Sequence, residues 1–205
     1  MTRERTLVDA GASLFERSLT HGRTGNISFR DDDELVVTPT GVSLGALDAG
    51  ELARVSLAGD LRSGPAPSKE WFLHAAMYRA RPDARAVIHL HSTYSVAVSC
   101  MAATDPKSAL PPLTAYFAMR VGTLPMLPYH APGDPALGPI AERAAGSHHA
   151  LLLANHGPIV AAGSIAEALD VVEELEETAR LHLLLHGIET RPLTAEQVEA
   201  LRPRG

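Results

Sequence analysis

Residues 86–95 read AVIHLHSTYS, with His89 and His91 one residue apart in an otherwise apolar run that turns polar at Ser92. Side chains at i and i+2 of a β-strand share a face, so Val87, His89 and His91 look one way and Ile88 and Leu90 the other. Two adjacent imidazoles without a counter-charge are awkward to bury and costly to protonate. A metal ion resolves that conflict, but it needs further ligands from elsewhere in the chain. The stretch therefore reads as a strand running into a helix, TYSVAVSCMAA, with two metal-ligand candidates where the two meet.

Working outward from that strand, hairpins and helices mix along the chain. Upstream, PAPSKEWFLHAAMYRARP (65–82) reads as a helix with Ser68 as N-cap, Lys69 and Glu70 in its first turn, and Arg81-Pro82 closing it. TGN (24–26) is a turn before the strand ISFR, the acidic turn DDDE and the strand LVVTP, together a hairpin. A further strand is expected around Ala53 to Leu57, with a turn at Gly59-Asp60. The first helix spans Thr6 to Ser18, with Leu7, Ala10, Leu14 and Phe15 on its apolar side and THG (20–22) as its stop.

Downstream, the proline-rich middle from Pro106 to Pro135 reads as short segments between turns, and AERAAG (141–146) as a short helix. ALLLAN (150–155) is a buried strand, His156-Gly157 a tight turn and PIVAAG (158–163) the returning strand. A long helix follows, with Ser164 and Glu167 in a capping-box pattern and Ile165, Leu169, Val172 and Leu175 as its apolar stripe. Its acidic run, Glu173-Glu174 and Glu176-Glu177, reads as a solvated or interface face. A small helix ends the chain after Arg191. No repeat, low-complexity linker or clean boundary interrupts the sequence, so residues 1–205 are expected to form one α+β domain.

The composition narrows the function classes. A length of 205 residues suits one domain with a full core, and 45% hydrophobic with 20% charged residues is ordinary for a globular protein. The formal net charge of −6 argues against a general nucleic-acid or anionic-membrane binder, though a local site can still take an anionic small molecule. No stretch approaches the roughly 20 consecutive apolar residues of a membrane span, and MTRERTLVDA lacks the apolar core of a signal peptide. Cys100 is the only cysteine, which points to a reducing compartment, the cytoplasm; within VAVSCMAA it is expected to be a small core residue.

The search for further ligands reaches His156 in LLLANHGPIV. A histidine at the tip of a tight turn between apolar strands is badly placed for packing and well placed for ligation, and Gly157 lets the backbone bend there. Catalytic zinc sites typically take three protein ligands and leave a position open. His74, four residues after Glu70, is within reach of the site, but a packing or surface role is expected; His148 and His149 sit in a polar turn; His21, His130, His182 and His186 lack a partner motif. Glu70 stands apart, at the head of a helix where free N–H groups and the macrodipole attract negative charge. With Ser68 and Lys69 before it, the segment is either a phosphate cradle beside a carboxylate or ordinary first-turn chemistry. TGN and TPTG (38–41) are two more loops rich in small donors, and each is also compatible with plain turn chemistry.

The ordered set TGNIS, VVTPTG, PSKE, VIHLHS and LLLANHG resembles the class II aldolase/adducin family, over about Thr6 to His186. The resemblance implies a three-layer α/β/α fold around a largely antiparallel sheet, assembled as a homotetramer with active sites at subunit interfaces. It implies a divalent ion, zinc with manganese or cobalt as alternatives, held by His89, His91 and His156, with Glu70 as a further ligand or as the acid/base. It also implies that Gly25, Asn26, Thr40, Gly41, Ser68 and Lys69 bind a substrate phosphate. PTGVSLGALD, the PSKEWFLHAAMYRARP segment and PPLTAYFAMRVGTLPMLPYHAPGD most resemble the 3-oxo-tetronate 4-phosphate decarboxylase branch. A small phosphorylated sugar acid is then the substrate, and a metal-stabilised enediolate the intermediate. An L-fuculose-1-phosphate aldolase-like activity is the alternative, since the same intermediate arises there, and a non-catalytic adducin-like module is a third reading. The C-terminal tail has no tyrosine, which disfavours the epimerases, so a catalytic tyrosine rests on Tyr116 in TAYF.

Overall fold

The computed structural model describes residues 2–201; positions 1 and 202–205 of the expected domain lie outside the described residues. Eight strands form one sheet: β1 (Asn26–Asp31), β2 (Glu34–Val37), β3 (Ala53–Ser56), β4 (Leu61–Ser63), β5 (Ala86–His89), β6 (Met126–Leu127), β7 (Ala150–Leu153) and β8 (Gly157–Ala162). Their order is β4-β3-β2-β1-β5-β8-β7-β6. Every neighbouring pair is antiparallel except β6 and β7.

The central strands are apolar on both faces because both faces are covered. Ile27, Val36, Ile88, Leu152 and Val160 face a layer made by α1 (Arg3–Glu16), α3 (Thr93–Ser99), α4 (Ala115–Arg120) and α6 (Ile165–Leu184). Their neighbours Leu35, Val37, Val87, Leu151 and Ile159 face α2 (Trp71–Ala80) and α5 (Leu137–Ala145). One-residue alternation along each strand thus feeds two cores, which is the three-layer α+β arrangement. A short helix near the C-terminus, α7 (Ala195–Ala200), carries a full capping box between Thr194 and Gln197. No described helix is long and apolar enough to cross a membrane.

Several sequence expectations need correction. Ser68 does not cap α2: the helix starts at Trp71, with Glu70 at the N-cap position, so Lys69 and Glu70 precede the helix. The reason is tertiary. The Ser68 N–H donates to the Thr38 carbonyl at 3.0 Å, which ties this segment to the TPTG loop, and a turn from Ser68 to Trp71 must close before winding begins. In the proline-rich middle, α4 forms after Thr114, whose hydroxyl accepts from the Phe117 N–H, and β6 extends the sheet edge beside β7. Cys100 is exposed at the end of α3, not in the core.

The acidic run of α6 is not simply a solvated face. Glu176 is buried, and its carboxylate accepts from the Tyr94 N–H at 2.8 Å, the Ser95 N–H at 2.9 Å and the Ser95 hydroxyl at 2.6 Å. It supplies the cap that α3 lacks, since Ser92 makes no capping bond. Glu174 accepts from Thr114 at 3.0 Å and so braces α4. Ser164 caps α6 through the Glu167 N–H, but the Glu167 carboxylate reaches Gly163 in place of Ser164, which leaves the expected capping box half made.

Candidate metal centre

Three chain segments meet where β5 ends. His89 is the last residue of β5, paired in register with Asn26 on one side and Ile159 on the other. Its Nδ1–H donates to the Pro158 carbonyl at 2.8 Å, which orients the ring so that Nε2 faces out of the strand end. His91 follows two residues later, before α3. His156 arrives from the β7–β8 turn, where Asn155 has φ +55° and Gly157 φ +152°. A Cβ at Gly157 would lie 2.2 Å from the Leu90 carbonyl oxygen, so only glycine lets the turn approach this closely.

The three rings meet edge to edge, with Nε2 of His91 3.2 Å from that of His89 and 3.0 Å from that of His156. The Glu70 carboxylate closes the group, Oε2 lying 3.2 Å from His89 Nε2 and Oε1 3.2 Å from His156 Nε2. The Asn26 side-chain amide donates to Glu70 Oε2 at 3.1 Å. One donor atom from each of Glu70, His89, His91 and His156 lies within 4.8 Å of the others, as a shared cation requires. Three imidazoles and a carboxylate suit a divalent ion of the zinc type.

The electrostatics fit that use. Burial, and then the charge of His89, push His91 down to about 3 and His156 down to about 4, so both rings are neutral and can offer lone pairs. Burial also pushes His89 down, but the Glu70 carboxylate beside it outweighs this and leaves its pKa raised. Burial alone would raise the Glu70 pKa; the charge and hydrogen bond of His89, His156 and the Asn26 amide hold it well below the usual carboxylate range.

The six residues expected at a phosphate converge beside this cluster. A cleft of about 180 Å³ is lined by Gly25, Asn26, Thr40, Gly41, Ser68 and Lys69, and it reaches Glu70 and His91. Thr24 of the TGN loop, Arg23 and the Pro132-Gly133 turn complete its walls, the last two carrying no signal in the sequence alone. Gly25 and Gly41 take φ +80° and +76°, conformations that suit glycine. Tyr116 is not brought to either feature. Phe117 enters the core from α4, which leaves Tyr116 61% exposed over a groove shared with Arg17 and Glu173. Within one chain Tyr116 therefore lies apart from both the cluster and the cleft. His74 is fully buried, as a packing role requires, and its ring is also hydrogen-bonded to Asn26.

Comparison with known proteins agrees with this geometry. Residues 5–183 match the Class II Aldolase and Adducin N-terminal domain family. The chain is similar to the 3-oxo-tetronate 4-phosphate decarboxylase of Pectobacterium atrosepticum, 46% identical over 196 residues, covering 95% of this chain and 90% of that one. It is also similar to the L-fuculose phosphate aldolase of Escherichia coli strain K12, 31% identical, covering 87% of this chain and 81% of that one. The crystal structure of YgbL from Klebsiella pneumoniae superposes with a TM-score of 0.95 at 45% identity, covering 98% of this chain and 97% of that one.

Proposed function

The chain belongs to the class II aldolase and adducin family, and we propose that it is a carbon–carbon lyase that decarboxylates 3-oxo-tetronate 4-phosphate to dihydroxyacetone phosphate. The observation that carries this reading is the junction of the His3Glu cluster with a cleft lined by the three expected phosphate loops. The decarboxylase relative at 46% identity supports this substrate over the sugar phosphate of the aldolase relative at 31%.

In the substrate, C1 is a carboxylate, C2 carries a hydroxyl, C3 is a ketone and C4 bears the phosphate. The C1–C2 bond breaks, CO2 departs, and the electron pair spreads over C2 and the C3 oxygen as an enediolate. A divalent ion held by His89, His91 and His156, with Glu70 at its side, would supply Lewis-acid stabilisation of that charge. Glu70, ionised at rest, would take one proton from solvent water and pass it to C2, its carboxyl fixed on one side by the Asn26 amide. Gly25, Thr40, Gly41 and Ser68 offer N–H and hydroxyl donors to the phosphate, and Lys69 a positive charge. They hold the substrate without touching its reacting carbons.

Zinc is the ion we favour for an imidazole-rich set, with manganese and cobalt as the alternatives that metal analysis would separate. We further propose one domain over residues 1–205, a cytoplasmic location on the strength of a single cysteine, and a homotetramer with sites at subunit interfaces. In such an assembly exposed Tyr116 would act on a neighbouring copy's substrate. The deciding assay supplies 3-oxo-tetronate 4-phosphate to the metal-loaded protein. Release of CO2 and dihydroxyacetone phosphate is expected. Aldehyde-dependent condensation of dihydroxyacetone phosphate, with no CO2 release, would make the protein an aldolase instead.

A further inference from the structure

A chain of buried hydrogen bonds runs away from Glu70 into the core. Asn26 Nδ2 donates to Glu70 Oε2 at 3.1 Å, Asn26 Oδ1 meets His74 Nε2 at 2.5 Å, and His74 Nδ1 meets the Ser28 hydroxyl at 2.7 Å. That hydroxyl in turn meets the Tyr78 hydroxyl at 2.8 Å. Two rigid elements hold the chain. Asn26 and Ser28 are i and i+2 on one face of β1, while His74 and Tyr78 share one side of α2 and Glu70 sits at its N-cap position.

The carboxylate end sets the direction of every bond. An ionised Glu70 only accepts, so the Asn26 amide must present its NH2, which turns its Oδ1 toward His74. His74 must then donate from Nε2 and accept at Nδ1, so Ser28 donates to the ring and accepts from Tyr78. Burial keeps the ring neutral, as this requires. We infer that His74 is a positioning residue: its Nε2–H locks the Asn26 amide with the NH2 toward Glu70, and so holds that carboxylate in its place for proton transfer. Without this donor the amide is free to rotate and set its oxygen against the carboxylate. The role in turnover rests on the function proposed for Glu70; the tautomer does not.

Two polar substitutions separate this from simple packing. In His74→Gln the side-chain amide can reach Asn26 in place of Nε2, whereas in His74→Asn it can reach Ser28 in place of Nδ1 but not Asn26. With wild-type CO2 release established, His74→Asn is expected to lower kcat at least about tenfold, with KM within about twofold and divalent-ion content unchanged. His74→Gln should stay within about threefold of wild type. Equal losses in both variants, or none in His74→Asn, would overturn the positioning role; a wild type that releases no CO2 would instead refute the proposed reaction. Should either variant fail to fold, 15N NMR of ring-labelled wild-type protein still decides. A neutral, exchange-protected ring protonated at Nε2 is expected, and among the buried rings one found protonated at Nδ1 with Ser28 as its partner would overturn it.

Discussion

Replacing Gly157 with alanine tests whether one close backbone approach assembles the cluster. The glycine follows His156 and has φ +152°, a conformation that L side chains rarely adopt. An alanine Cβ there would lie 2.2 Å from the Leu90 carbonyl oxygen, 3.2 Å from the Leu90 carbonyl carbon and 3.3 Å from His91 Cα. All three are backbone atoms, so no side-chain rotation relieves the overlap. Ordinary contact begins at 3.4 Å, and the two segments must part by about 1.2 Å. The strained φ costs about 1–3 kcal/mol, and forced overpacking about 1–3 kcal/mol more. Out of the roughly 5–15 kcal/mol that holds a typical domain folded, this loss lowers the melting temperature by roughly 5–20 °C. The same displacement carries His156 away from His91, so affinity for the divalent ion should fall at least about tenfold. Differential scanning calorimetry and competition against a metal-sensitive dye read the two effects. Gly187→Ala is the control, because Gly187 has φ +79° but nothing within 4 Å of its added Cβ. A Gly157→Ala protein that melts within a degree or two of that control and binds the ion normally would refute the reasoning.

Three further outcomes are expected. His89→Ala should abolish stoichiometric ion binding, whereas Glu70→Gln should keep the ion and phosphate affinity while kcat drops about 10²-fold or more; a fully active Glu70→Gln protein would remove the proton-transfer role. Glu176→Ala strips two backbone N–H groups of α3 of their acceptor and should cost about 2–4 kcal/mol in chemical denaturation. Glu177→Ala, which loses only an exposed pair with Arg180, should stay within about 0.5 kcal/mol of wild type. Finally, metal-free protein should lose stability as pH falls from 6.5 toward 3, because burial pushes His74 down to about 3 and the unfolded chain takes up its proton first. His91 acts with the same sign and His89, whose pKa is raised, with the opposite one. Thermal unfolding against pH should show a shallower decline in His74→Gln, and parallel curves would refute this.

What the sequence reveals of the site follows from how local the signals are. His89 and His91 are legible as two imidazoles one residue apart in an apolar run, although β5 ends at His89 and leaves His91 just beyond the strand, and His156 because a histidine in a turn between apolar strands has no packing role. The apolar runs 86–90, 150–153 and 158–162 announce strands covered on both faces, and Ile88 against Val87 divides between two cores as alternation requires. The start of α2 was not legible, because the bond that delays it runs from Ser68 to Thr38, a partner thirty residues away in sequence. The role of Glu176 was hidden for the same reason, since its acceptors' partners, Tyr94 and Ser95, lie on another helix.

His74 shows where local reading misleads most. Taken alone, a histidine inside an apolar helix stretch is a packing residue, and the i+4 spacing from Glu70 says only that the two share a side of the helix. Its meaning comes from register: Asn26 pairs with His89 in the sheet, which sets the Asn26 side chain beside both the strand that carries His89 and the face of α2. Once that pairing is in place, a carboxylate at one end leaves each polar group on the line a single bonding direction. A residue that seemed to fill space thus fixes the orientation of one that touches the chemistry. Sites of this kind are read by asking which donors a carboxylate obliges its neighbours to present, and then following the obligation inward until it ends on a hydroxyl such as that of Tyr78.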